Sequence, residues 1–236
     1  MEALFTDQLK NQAEITTANR SRMYSLIAEI FRYPDEPFRR QAQNGDLEQA
    51  LGRLTENLPY PFEWREKEKA RLRGLATVSD ENIEVEFIRL FEAGPGSPPI
   101  PLLEGLYRED RQAIFRELIL FYNHFGLSYG EGSMEDRPDH ICYQMEFLHF
   151  LTFKELMALQ SDRDVFPYMR AEQDFLERHP LLWTGQLLES CRRLEKNLPD
   201  SEDACLEVFH FYEALFQLTH EFLAADCRYL KTLLAP

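Results

Sequence analysis

Apolar residues recur three and four apart along almost the whole chain, the spacing of one face of an α-helix. The first such stretch, about Thr17 to Tyr33, carries Met23, Ile27, Ile30 and Phe31 on one stripe with Tyr24 beside it, and Pro34 and Pro37 end it. A second stripe, Leu47, Leu51, Leu54 and Leu58, closes at Pro59-Tyr60-Pro61. Phe62 to about Ala76 reads as a charged, exposed helix. Ser79 or Asp80 is placed to cap a helix bearing Ile83, Phe87, Leu90 and Phe91. Gly94 to Pro101 then packs four prolines and two glycines into eight residues, which excludes helix and central strand, so a loop is expected at about 92–101. A helix from about Glu109 to Phe125 follows. After it comes a second loop, about 126–138, with Gly126, Gly130, Gly132, Pro138 and several acids.

Asp139 is the expected N-cap of a helix from about His140 to Gln160. That helix is apolar on nearly every side, through Ile141, Met145, Phe147, Leu148, Leu151 and Leu156, and belongs in the middle of a bundle. Ser161 is a candidate start for the next helix, with Pro167 against it. Pro180 and Pro199 bracket a helix with Leu181, Leu187, Leu188, Cys191 and Leu194, and Ser201 is the expected cap of a long last helix running past Phe209, Phe216 and Leu230. No stretch alternates with a period of two, and no repeat is visible. The expectation is an all-α protein, a single compact domain over 1–236 built of about nine or ten helices.

Composition agrees. The chain has 34 Leu against 4 Val, 9 Ile and 9 Thr, so β-branched residues are scarce and good helix formers abundant. Its 26 basic and 41 acidic residues give a net charge of −15. Such a surface repels phosphate backbones and anionic lipid, which makes nucleic acid and membrane poor partners, and attracts basic segments. No apolar run is long enough to span a bilayer, and the first residues lack the basic-then-apolar order of a secretory signal. The cysteines, at 142, 191, 205 and 227, include no C-x-x-C pair, so reduced thiols are expected and a zinc site is not.

Catalytic patterns are few. There is no G-x-S-x-G and no glycine-rich phosphate loop opening a helix. Glu146-x-x-His149 and Glu207-x-x-His210 are both E-x-x-H, the paired spacing that holds two irons in some helical bundles. Against that, His210 shares its helix face with Glu213, Gln217 and His220, a polar side that points to water, so two coincidental pairs are the simpler reading. Arg137-Pro138-Asp139-His140 reads as a helix start that also sets a carboxylate and an imidazole beside a loop. Phe87, Leu90 and Phe91 form one apolar face, and Pro101 to Arg108 reads as a connecting turn.

Taken together and in order, these stretches resemble the TorD/DmsD/NarJ family of redox-enzyme maturation chaperones. The matching signals are Phe87 to Phe91 closing a helix, a Gly/Pro loop leading to Glu104-Gly105-Leu106-Tyr107, and Phe121-Tyr122. Pro138-Asp139-His140 running into Gln144 to Leu151, and the early Tyr24 to Ala28 with Phe31-Arg32-Tyr33-Pro34, complete the set. The family often has Tyr where Phe87 stands, an acid where Gln144 stands, and a proline where Arg137 stands. The long proline-rich loop looks closest to the branch that serves dimethylsulfide dehydrogenase, ethylbenzene dehydrogenase and chlorate or selenate reductase type molybdoenzymes.

The resemblance implies a cytoplasmic, non-catalytic chaperone with no cofactor or metal of its own. It would bind the catalytic subunit of a molybdoenzyme, often through its twin-arginine leader, and hold it until the molybdenum cofactor is loaded, preventing premature Tat export. In residues, the expected groove is lined by Phe87, Leu90, Phe91, Tyr107 and Phe121. Its acidic rim would come from Glu104, Glu131, Glu135, Asp136 and Asp139, with Asp139 and His140 touching the peptide and Glu146 nearby. The alternatives are a di-iron carboxylate protein using Glu146/His149 and Glu207/His210, or an unrelated helical adaptor.

Overall fold

A computed structural model describes residues 9–62, 64–127, 137–196, 198 and 204–235. Among these it contains ten α-helices and no strand. They are α1 (Gln12–Ile30), α2 (Glu36–Asn44), α3 (Asp46–Glu56), α4 (Glu66–Leu72), α5 (Asp80–Phe87), α6 (Arg111–His124), α7 (Ile141–Gln160), α8 (Phe166–Arg178), α9 (Pro180–Glu195) and α10 (Ala204–Leu233). No helix among the described residues is long and apolar enough to cross a membrane.

Local chemistry sets most boundaries. The Asn11 side chain accepts from the Glu14 N–H and starts α1, Asp35 caps α2, Ser79 caps α5 and Asp110 caps α6. Gly45, at φ +84°, makes the left-handed corner between α2 and α3. The charged segment expected to be one helix to Ala76 is shorter, with α4 ending at Leu72 and a 3₁₀ turn following at Gly74–Thr77. α8 begins at Phe166, with Pro167 in its first turn where its missing N–H is harmless, and not at Ser161. The expected cap at Ser201 lies outside the described residues.

Packing is organised around two long helices. α7 lies along α1 for most of its length, and the 30-residue α10, about 45 Å long, runs beside α4, α5, α8 and α9. α1 begins five residues earlier than its apolar stripe suggests, because the residues that pack inward there are polar. Glu14, Thr16, Thr17, Asn19, Arg20 and Ser21 are all buried.

At the centre of these, Arg20 is fully buried and serves three carboxylates. It donates to Asp226 at 2.6 and 2.9 Å and to Glu155 at 2.8 Å, and it also pairs with Glu172. Tyr24 and Tyr60 donate to the same Asp226 at 2.6 and 2.9 Å. One guanidinium therefore ties α1, α7, α8 and α10. Burial drives the Glu172 carboxyl well above the usual range, against the pull of Arg20, so it holds its proton. A buried pair of this kind adds little net stability over an apolar core, but removing one partner costs about 3–5 kcal/mol. Aromatic rings extend the core outward. Phe31 stacks on Phe216 at 4.7 Å, and Phe91 meets Tyr212 edge-on at 4.9 Å.

Candidate functional site

The chain leaves α5 through a wider turn. The Ala93 N–H donates to the Ile88 carbonyl at 2.8 Å, an i to i+5 bond, and the Ile100 N–H returns to the Leu90 carbonyl at 3.0 Å. The proline-rich segment thus folds back against the end of its own helix. It then meets the start of α7. Leu103 and His140 form an isolated antiparallel pair, with the Glu104 N–H on the Asp139 carbonyl and the Ile141 N–H on the Leu102 carbonyl, each at 3.0 Å.

Asp139 holds this junction. Its carboxylate is fully buried and accepts from the Gly105 N–H at 2.9 Å and from Arg137 at 2.8 and 3.0 Å. Gly105 must be glycine for this approach: a Cβ there would lie 2.8 Å from Arg111 Cγ and 3.0 Å from Asp139 Oδ2. The expected N-cap is corrected by one residue. His140 is the cap, its Nδ1 accepting from the Cys142 N–H at 3.2 Å. Burial pushes the His140 imidazole down to about 4, assisted by Arg137 and Arg32 and opposed by Asp139. It is therefore neutral near pH 7, with Nδ1 as acceptor and the proton on Nε2, which suits a helix N-terminus better than an imidazolium would.

Beside this junction opens a cavity of about 430 Å3, lined by Phe31, Arg32, Tyr33, Phe87, Phe91, Glu92, Leu102, Arg137, His140, Cys142, Tyr143 and Glu146. Four separate stretches meet here: the end of α1, the wide turn after α5, the proline-rich loop and the start of α7. The floor is aromatic and buried, with Phe31, Phe87 and Phe91 each at most 4% exposed, while Tyr33 stands 47% exposed at the mouth. Charges rim it. Arg32 pairs with Glu146 across the opening, Arg137 is held by Asp139 from behind, and Glu92 forms no ion pair among the described residues. Cys142 is a neutral thiol, raised to about 12 by burial.

Of the residues expected in the groove, Phe87, Phe91, His140 and Glu146 line this cavity. The others lie elsewhere. Leu90 is fully buried on the core side of the wide turn. Tyr107 stacks on Trp183 at 5.5 Å, and Phe121 packs edge-on against Phe175 at 5.2 Å and Phe147 at 6.3 Å, on the far side of α7. Glu104 and Asp139, expected as rim acids, are wholly buried. Glu104 accepts from Gln144 at 2.5 Å and from His179 at 3.1 Å, and pairs with Arg108. Its position is fixed further by Trp183, which donates to the other end of the Gln144 amide at 3.1 Å. The physical reason is that protein donors take the place of water: the Gly105 N–H and Arg137 for Asp139, and the Gln144, His179 and Arg108 side chains for Glu104. Glu131, Glu135 and Asp136 lie outside the described residues.

Sequence reasoning passed over Arg32, Tyr33, Glu92 and Tyr143 as lining residues. The signal for the first two was Pro34, which stops α1 and leaves Arg32 and Tyr33 at an exposed helix end.

The two E-x-x-H pairs do not form one site. Glu146 is engaged by Arg32, and His149 Nδ1 lies 2.9 Å from the Ser21 carbonyl. Among the described residues the one group of three with metal-ligand spacing is Glu195, His210 and Glu213, which leaves out Glu146, His149 and Glu207, and Arg71 already pairs with both of its carboxylates.

In this all-helical chain, stretches far apart in sequence thus meet at one aromatic cavity with a charged rim. Residues 42–189 match the family described as nitrate reductase delta subunit, and the chain belongs to that family. It is 35% identical over 176 residues to the selenate reductase assembly chaperone protein of Thauera selenatis, covering 73% of this chain and 75% of that one. It is 33% identical over 163 residues to the chlorate reductase assembly chaperone protein of Ideonella dechloratans, covering 68% and 70%. To the dimethyl sulfide dehydrogenase assembly chaperone protein of Rhodovulum sulfidophilum it is 31% identical over 169 residues, covering 66% and 63%.

Proposed function

We propose that this chain is a cytoplasmic, non-catalytic assembly chaperone for the catalytic subunit of a molybdenum-cofactor oxidoreductase. It takes part of that subunit's twin-arginine leader into the cavity beside Asp139 and His140, holds the subunit for cofactor insertion and delays its export. The whole chain works as one helical unit in this reading. The observation that supports it is the convergence on one cavity of four sequence-distant stretches, among them Phe31-Arg32-Tyr33, Phe87 to Phe91 and the segment from His140, which carry part of the resemblance to the chaperone family.

The chemistry suits a leader. A net charge of −15 steers a basic segment toward the protein and speeds encounter. The aromatic floor takes up apolar side chains, and Glu92 and Glu146 offer carboxylates to guanidinium groups. A cavity of about 430 Å3 is large enough for a few side chains and too small for a whole leader. Burying a few hundred Å2 of apolar surface at about 25 cal/mol per Å2 gives several kcal/mol before ordering costs, which keeps binding at this cavity weak and lets the client leave. Asp139 acts indirectly in this account, by fixing the loop and the helix start that frame the cavity.

Titration calorimetry with a synthetic twin-arginine leader of a molybdoenzyme catalytic subunit tests this, run beside the same peptide with both arginines changed to lysine. Saturable binding with negative ΔCp, weakened by the lysine change, is expected. Absence of binding to either peptide removes the leader from the account, and co-purification with the full subunit then decides whether its folded body is the client.

A further inference from the structure

Resting on the leader-binding reading, we infer that Arg32 is an internal stand-in for the client's arginine: it occupies the Glu146 carboxylate in the empty protein and is exchanged for an incoming guanidinium. Both residues line the cavity, Arg32 two residues past the end of α1 and Glu146 in the second turn of α7. Their ion pair joins the two walls across the opening. It is the one salt bridge either side chain makes among the described residues. Arg32 is 60% exposed and Glu146 36%, so the pair lies at the mouth, where a long side chain can swing away into water.

The other charges of the cavity leave Arg32 as the residue for this role. Arg137 is held in two hydrogen bonds by the buried Asp139 and is not free to turn to Glu146. His140 is neutral near pH 7. Glu92 carries no ion pair among the described residues and stands open to a second cation. The cavity therefore holds one carboxylate outside any ion pair among the described residues and one covered by the same chemical group that a basic leader brings.

Exchange of one guanidinium for another leaves no carboxylate unpaired beside the aromatic floor, and the released Arg32 is rehydrated at the surface. The consequence is competition. A peptide without arginine leaves the Arg32–Glu146 pair closed and forgoes the Glu146 contact, whereas an arginine peptide opens the pair and restores the same contact with its own guanidinium. Arg32 thus lowers affinity for guanidinium-bearing ligands by holding the carboxylate they take.

The test is calorimetric binding of two peptides, one with an Arg-Arg pair ahead of an apolar segment and one with citrulline at both arginines, to the full-length chain and to R32Q, E146Q and the double variant. Thermal unfolding first establishes that each variant is folded. R32Q is expected to bind the arginine peptide roughly threefold tighter than the unaltered chain, the factor an ion pair of this exposure corresponds to. E146Q is expected to bind it more weakly, and adding R32Q to E146Q to change nothing further. Equal or weaker binding by R32Q, or the same gain for the double variant as for R32Q, overturns the exchange while leaving leader binding in place. Failure of every protein to bind either peptide overturns both.

Discussion

Replacing Asp139 by Asn separates a structural carboxylate from a peptide-contacting one. In the folded protein Oδ2 accepts from the Gly105 N–H and one Arg137 nitrogen, and Oδ1 accepts from the other, all at 2.8–3.0 Å and with the carboxylate wholly buried. Asn offers one acceptor oxygen and a nitrogen that only donates. In its better orientation the oxygen still serves Gly105, and the amide nitrogen then faces an Arg137 donor. That leaves a buried unpaired donor, worth about 1–3 kcal/mol, and removes the charge-assisted part of the Arg137 bonds. With Arg137 itself 25% exposed and partly screened, the expected loss is about 2–3 kcal/mol. For a chain of this size it is a fall in Tm of roughly 5–10 °C. Urea unfolding of both proteins followed by circular dichroism measures it, with peptide calorimetry at a temperature where both are folded. Stability within about 0.5 kcal/mol of the unaltered chain, together with weakened arginine-peptide binding, would refute the reasoning and return the carboxylate to the rim.

Two further predictions concern the frame of the site. Glu172 holds a proton in the fold that it releases in the unfolded chain, because burial raises its pKa from 4.5. Its stabilising contribution is complete below the unfolded value and is lost as pH rises toward the folded one, with a slope of about 1.4 kcal/mol per pH unit. Glu172→Gln cannot titrate, so in urea unfolding its stability relative to the unaltered chain is expected to rise as pH rises above the unfolded value, and a gap independent of pH means that Glu172 is ionised in the fold. Gly105→Ala sets a methyl against Arg111 and Asp139, and thermal melts are expected to show a loss of about 1–3 kcal/mol, whereas an unchanged melt means that the loop has room to move.

The elements themselves were largely legible from residue order. Period-four stripes, proline stops and Ser, Asp or Asn starts are local signals, so α3, α5, α6, α7 and α9 fall within a few residues of where the pattern puts them. α1 was cut short because its first turns bury Thr16, Thr17 and Arg20, polar residues that leave no apolar stripe to read. The segment after Phe62 was drawn too long because charge on a helix face says nothing of where Gly74 turns the chain.

The site divides in the same way. By itself the sequence determined an acidic all-helical chain, its loops, and a set of motif stretches that resemble one chaperone family, because each of these rests on composition or on neighbours a few residues apart. The tertiary structure decided what each motif residue does. A carboxylate in Glu104-Gly105 or in Asp139-His140 reads the same whether it faces water or a backbone N–H, and the difference is set by the Leu103–His140 pairing and by Arg108, Arg137, Gln144 and His179, which reach it from 2 to 75 residues away. Likewise the meeting of Arg32 with Glu146, 114 residues apart, is a product of how α1 lies on α7, and no local spacing encodes it.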